Sequence, residues 1–165
     1  MAKTILITGC STGLGFAAAR AFAERGYRVI ATVRREADAS RVEAECKRSI
    51  HPVLCDVTVK EQVAELPGAV RRITGDGVLD GLINNAGILH VPCPVEFQKM
   101  EDIRAVFDVN VFGMMAVTIA LLPVRWQISR ATSGVKLSPG RRPIIFRVPF
   151  TLLSESSLRN GDCSS

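Results

Sequence analysis

Eight residues near the start, Thr8-Gly9-Cys10-Ser11-Thr12-Gly13-Leu14-Gly15, constrain this chain more than any other feature. They stand between a short β-branched run, Lys3 to Thr8 (KTILIT), and an alanine-rich segment, Leu14 to Arg25, whose apolar residues recur at helical spacing. A buried strand turning sharply into a helix is what that juxtaposition predicts. Gly9 permits the turn, Gly13 lets backbone approach a ligand, and Gly15 allows the helix to lie close to the strand. The free N–H groups at the helix start then face an anion such as a pyrophosphate. No Lys-Ser/Thr follows the glycines, which excludes a P-loop.

The same alternation continues downstream. The first helix should end at Gly26. Tyr27 to Val33 predicts a second strand, Glu36 to Lys47 a helix, Ile50 to Cys55 a third strand with Asp56 at its carboxyl end, and Val59 to Ile73 a third helix. Leu79 to Ile83 predicts a fourth strand and Glu101 to Leu122 a long helix, apolar over most of its circumference. Strands separated by helices pair in parallel through right-handed crossovers, so the expected architecture is an α/β, doubly wound parallel sheet. Four strands in the order 3-2-1-4 would leave the fourth as an exposed edge.

Charge and composition divide the chain at Leu122/Pro123. The net charge of +5 suggests a nucleic acid or acidic membrane partner until it is located. Residues 1–122 carry 14 Lys/Arg and 14 Asp/Glu, whereas residues 123–165 carry 7 and 2, so the charge belongs to the tail. Serine follows the same break, with 3 before it and 8 after. We therefore expect a domain over 1–122, an irregular basic Ser/Pro-enriched tail over 123–165, and no nucleic-acid partner. The five cysteines form no CxxC pair, and His51, His90 and Cys93 match no zinc spacing, so no metal site is expected. Reduced thiols suit a cytoplasmic protein. Met1 runs almost directly into KTILIT, leaving no room for a leader. Met114 to Leu122, the longest strongly apolar stretch, falls short of the roughly 20 residues that span a bilayer, so no membrane partner is expected either.

Three motifs in this order, TGCSTGLG, Asp56-Val57 after the third strand and Asn84-Asn85-Ala86-Gly87 after the fourth, resemble the short-chain dehydrogenase/reductase family over about residues 2–122. ITGCSTGLG, IATVR and FDVNVFG are similar to its branch containing 17β-hydroxysteroid and retinol dehydrogenases. The resemblance implies the N-terminal half of a Rossmann-like fold and hydride transfer between a nicotinamide cofactor and a small carbonyl or alcohol. Ser11 and Thr12 would bond the cofactor's phosphates within the loop formed with Thr8, Gly9, Gly13, Leu14 and Gly15. Asp56 would accept from the adenine amino group while the Val57 backbone reads its other edge, and Asp56 also suits a helix N-cap. Asn84, Asn85, Ala86 and Gly87 would support the sheet and line the cofactor's path.

Cofactor choice depends on the end of the second strand, where an acid would bind the ribose hydroxyls of NAD. Here the sequence reads ATVRR, with no carboxylate before Glu36. Arg34 and Arg35 offer planar donors suited to a phosphate, although both also suit a solvated loop. NADP is expected over NAD, with Arg34 favoured by the resemblance.

Of the family's catalytic groups, the resemblance places only Asn110, in DVNVFG, where it would kink the helix and hold a proton-relaying water. Capping a local helix irregularity is the other reading of that residue. The sole tyrosine, Tyr27, is followed four residues later by Ala31, so the 165 residues contain no Tyr-x-x-x-Lys. Lys136 has no tyrosine to serve, and Ser129, Ser133 and Ser138 lie in a segment too rich in serine to single one out. Arg141 to Val148 (RRPIIFRV) is the nearest imitation of the family's fifth strand, weakened by Pro143. The break at Leu122 resembles translation in a wrong frame or through an intron. The expectation is therefore an incomplete, catalytically impaired oxidoreductase with weakened cofactor binding. The alternative is a non-catalytic NADP-binding or interaction protein, pairing through Glu101–Leu122, a helix that would also suit a homodimer.

Overall fold

The computed structural model describes residues 2–45, 49–89, 94–126 and 145–147. Strands β1 (Thr4–Ile7), β2 (Arg28–Val33) and β3 (Ile50–Leu54) alternate with helices α1 (Gly13–Glu24), α2 (Glu36–Glu45) and α3 (Lys60–Thr74). The predicted fourth strand is divided into β4 (Val78–Leu79) and β5 (Gly81–Asn84). After a 3-10 turn at Val95–Phe97 come α4 (Met100–Phe107), a π-helical stretch (Asp108–Gly113) and α5 (Met114–Leu121), then β6 (Arg125–Trp126) and β7 (Ile145–Arg147).

The main sheet has the order β3-β2-β1-β5-β7, every pair parallel. Its first four strands reproduce the 3-2-1-4 order. The expected bare edge is corrected at its centre: Leu82, Ile83 and Asn84 pair with Ile145, Phe146 and Arg147. That strand begins at Ile145, two residues beyond Pro143. The tail is likewise not irregular throughout, because Arg125–Trp126 pairs with Val78–Leu79 in a second, two-stranded sheet. Pro52 is accommodated on β3, which among the described residues pairs with β2 alone.

Strand periodicity explains why these segments read as continuous apolar runs. Leu6, Ile30 and Leu82 join one core with Leu66 and Val70 of α3 and Val117 and Leu121 of α5. Ile5, Ile7, Val29, Ala31, Val33 and Ile83 join the other with Ala19 of α1 and Val42 of α2. Successive side chains alternate between these cores, as a parallel sheet covered on both faces requires.

The fourth helix is continuous from Met100 to Leu121, 22 residues with a mean hydropathy of 1.6 in its most apolar window. By length and composition alone it could cross a membrane, which the shorter Met114–Leu122 stretch could not. It packs against α3 through Val117 and Leu121, both fully buried.

Candidate functional site

The first turn of α1 opens onto a cleft of about 320 Å³ at the carboxyl ends of β1, β2, β3 and β5. This is the crevice where strand order reverses, because β1 has β2 on one side and β5 on the other. Gly9, Ser11, Thr12, Gly13, Leu14, Gly15, Arg34, Asp56, Val57, Ala86 and Gly87 all line it. Of the residues expected to hold the cofactor, Thr8 and Asn84 alone do not.

Thr8 acts from beneath. It is 1% exposed, and its Oγ1 accepts the N–H groups of Asn85 at 3.0 Å and Ala86 at 2.9 Å. Asn84 is buried too, with its Nδ2 donating to Thr118 Oγ1 at 3.1 Å on α5. Asn85 lines the cleft and donates Nδ2 to the carbonyls of Thr8 at 2.9 Å and Gly9 at 3.0 Å, a clamp the motif did not specify. Its signal was membership of the Asn84–Gly87 run. Cys55, Ile88 and Val109 also line the cleft and carried no signal beyond being apolar.

The three glycines separate by function. A Cβ on Gly9 would lie 2.8 Å from Ala86 Cα, and one on Gly15 would lie 2.3 Å from the Gly9 carbonyl oxygen. Those two are required by protein packing. Gly13, at φ +60°, has no atom within 4 Å of the same position beyond its chain neighbours and its own helix backbone, and it lines the cleft. Thr12 makes no side-chain cap bond and the first turn of α1 holds no acidic residue, leaving the helix start free to receive an anion. These features fit a dinucleotide's pyrophosphate.

At the carboxyl end of β3, Asp56 Oδ1 accepts from the backbone N–H of Thr58 at 2.9 Å and its hydroxyl at 2.7 Å. Burial opposes ionisation of Asp56, but the Thr58 bonds and the nearby Arg34 charge hold its carboxyl below the usual range. Asp56 thus fixes the turn that leads into α3 while lining the cleft. Arg34 faces the cleft, whereas Arg35 is bound 3.1 Å from Asp38 on α2. Burial pushes the Cys10 thiol up to about 12 and the Cys55 thiol up to about 11, so both are neutral at physiological pH.

Asn110 lies in the π-helical stretch and outside the cleft lining. Its Oδ1 accepts the Ile88 N–H at 2.8 Å and its Nδ2 donates to the Ile88 carbonyl at 2.9 Å. Both ends of the amide hold the cleft segment that follows Gly87. The helix can come this close because Gly113 has no side chain: a Cβ there would lie 2.6 Å from Val57 Cγ2. Tyr27 packs edge-on to Phe22 with ring centres 5.3 Å apart, against the core on the α1 side. His90, Cys93, Ser129, Ser133, Lys136 and Ser138 lie outside the described residues. Among the described residues, no three His, Cys, Asp or Glu side chains converge as metal ligands.

The family described as short chain dehydrogenase matches residues 3–134, past the break at Leu122. The chain is 43% identical over 122 residues to dehydrogenase/reductase SDR family member 9 of Bos taurus, covering 74% of this chain and 38% of that one. It is 37% identical over 122 residues to retinol dehydrogenase 16 of Mus musculus, with the same 74% and 38% coverage. Among solved structures, 3-ketoacyl-(acyl-carrier-protein) reductase from Brucella melitensis complexed with NADH superimposes with a TM-score of 0.68 at 34% identity, over 74% of this chain and 50% of that one. ElxO with NADP bound gives 0.67 at 30% identity, again over 74% and 50%. The chain thus spans less than half the length of these two curated relatives.

Proposed function

Because this chain belongs to the short-chain dehydrogenase family, whose pattern matches residues 3–134, we propose that it is the NADP-binding part of an oxidoreductase acting on a small carbonyl or alcohol. One observation carries the reading: a single cleft gathers the glycine loop, Arg34, Asp56-Val57 and the segment from Asn85 to Ile88. The α1 start and Ser11–Thr12 take the pyrophosphate, Asp56 and Val57 read the adenine, and Gly87 and Ile88 border the path toward the nicotinamide. When bound, that ring supplies or accepts the hydride. Asn110 holds the Ile88 backbone in both directions and so keeps this border in place.

NADP is favoured over NAD by Arg34, which brings a guanidinium to the cleft at the end of β2. The nearby acid that could take ribose hydroxyls, Asp38, is occupied by Arg35 and Arg41. A reducing, cytoplasmic setting accompanies this reading, supported by the buried free thiols Cys10 and Cys55. Without a Tyr-x-x-x-Lys in the 165 residues, the sequence holds no phenol and lysine pair to move the substrate's proton. Cofactor binding without turnover is therefore the second reading, with 1–122 as the binding domain, to whose sheet Ile145–Arg147 adds a strand.

The test is fluorescence titration of the purified chain with NADPH and NADH, followed by turnover assays on ketones and aldehydes. NADPH should bind about tenfold more tightly, the difference one phosphate contact supplies, and Arg34→Ala should abolish the preference. Binding of neither dinucleotide, or tighter binding of NADH, would overturn the reading. Steady NADPH oxidation would select the catalytic form over the binding-only one.

A further inference from the structure

Arg41 of α2 lies outside the cleft lining, yet its guanidinium reaches the lining residue Ser11 together with Asp38 and Phe16, which do not line it. Nη2 donates to the Ser11 carbonyl in the glycine loop and approaches Asp38 Oδ1 at 3.4 Å. Its central carbon sits 5.9 Å from the centre of the Phe16 ring on α1, within cation–π range. Asp38 is anchored in turn, its side chain 11% exposed and 3.1 Å from Arg35 Nε. The Arg35 hydrogen bond, aided by the Ser11 hydroxyl and Arg41, holds the Asp38 carboxyl below the usual range, so the anchor stays ionised at neutral pH.

The consequence follows from peptide geometry. A trans peptide unit is planar, with its C=O and N–H on opposite sides. Drawing the Ser11 carbonyl toward Arg41 turns the Thr12 N–H of the same unit away from Arg41, and both residues line the cleft. We infer that Arg41 is a positioning residue: it fixes the Ser11–Thr12 peptide so that the Thr12 N–H is presented to the pyrophosphate that NADP and NAD share. Arg34, by contrast, meets the 2′-phosphate that NADP alone carries. The inference rests on the dinucleotide reading above and assigns each arginine a different phosphate.

The experiment measures NADPH, NADH and adenosine 2′-monophosphate binding to the full chain and to Arg41→Ala, Arg41→Lys and Asp38→Asn. Arg41→Ala should weaken NADPH and NADH by the same factor, about 5-fold for one hydrogen bond's positioning, leaving their ratio unchanged. Adenosine 2′-monophosphate, which lacks the shared pyrophosphate, should bind Arg41→Ala as it binds the unaltered chain. Arg41→Lys keeps a donor for the Ser11 carbonyl and should recover most of the loss. If thermal unfolding shows Arg41→Ala to be misfolded, Asp38→Asn carries the test by releasing the guanidinium, with the same equal loss expected. A loss confined to NADPH would mean that Arg41 touches the 2′-phosphate itself. Equal loss of adenosine 2′-monophosphate would mean general loosening. Either result overturns the inference, as does no effect. An unaltered chain that binds neither dinucleotide refutes the earlier reading as well, whereas binding insensitive to Arg41 refutes only this one.

Discussion

On one side of the cleft the glycine loop is fastened from several directions. Gly9 N–H donates to Thr32 Oγ1 at 3.2 Å and Cys10 N–H to the Thr32 carbonyl at 2.8 Å, while Asn85 holds the Thr8 and Gly9 carbonyls and Arg41 holds that of Ser11. The helix Met100–Leu121 is different: Asn84 and Asn110 tie one face to the cleft, but Phe107, Phe112, Met115 and Ile119 on it are about half exposed or more. A loop whose Gly9 and Cys10 N–H groups and whose Thr8, Gly9 and Ser11 carbonyls are held by other local elements keeps its shape, while the helix start that follows it stays open to an anion. An apolar helix is complete only along the stripe that α3 and the sheet cover. Substitutions should therefore be costly in the first region and nearly free on the exposed face of the second.

The largest effect is expected at Gly15. An alanine Cβ there would meet the Gly9 carbonyl and Asn85 Nδ2, both at 2.3 Å, and the carbonyl belongs to backbone that Asn85 also holds. Gly15→Ala should cost more than about 3 kcal/mol, the scale of severe overpacking, read as a fall in the urea midpoint. A loss under 1 kcal/mol would show the loop to be far more yielding than its bonds imply. Next is Thr8→Val, which keeps the shape of a buried side chain but leaves the N–H groups of Asn85 and Ala86 without their acceptor. Two unpaired donors should cost about 2 kcal/mol, and near-neutrality in the same assay would mean that water replaces the hydroxyl.

The third effect is a pH dependence from two buried thiols, Cys10 in the glycine loop and Cys55 in the core that α5 also joins, so Cys10 is the one that probes the loop. Burial raises Cys10 to about 12 and Cys55 to about 11. A thiol favoured as neutral in the fold contributes stability that is present below its unfolded pKa and lost as pH rises toward the folded one. Stability should be flat from pH 7 to about 8.5, then fall by up to roughly 1.4 kcal/mol per pH unit for each thiol. Urea unfolding at pH 8, 9 and 10, repeated with Cys10→Ala, isolates the contribution: the variant should lose less between pH 9 and 10 than the original. Identical slopes would show that Cys10 does not supply it.

The same contrast governs what the sequence could disclose. The strand order, the helix limits and the lining of the cleft were legible because short segments dictate them: three glycines between a strand and a helix, an acid at the end of β3, a run of β-branched residues. The clamp by Asn85 was legible as a motif but not as a geometry, since its partners Thr8 and Gly9 lie more than seventy residues away. Arg41 was invisible for the same reason, because nothing on α2 shows that its guanidinium meets Ser11. The strand at Ile145–Arg147 was discounted on account of Pro143, yet pairing needs N–H groups only from Ile145 onward, within the strand itself.

The smallest expected effect is also the sharpest probe of the exposed helix. Val117 and Leu121 are fully buried, while Ile119 between them is 61% exposed. Val117→Ala removes two methyl groups from a packed core and should cost about 2 kcal/mol. Ile119→Gln removes apolar surface that already meets solvent and puts a comparable helix former in its place, so its cost should stay within about 0.5 kcal/mol. The two urea midpoints, measured at several protein concentrations, decide the matter. A flat Ile119→Gln beside a damaged Val117→Ala leaves the contrast between the two regions intact. A cost at Ile119 that rivals Val117 would mean that this face is covered in solution. A concentration-dependent midpoint would assign that cover to a second copy of the chain, and a concentration-independent one to the chain itself.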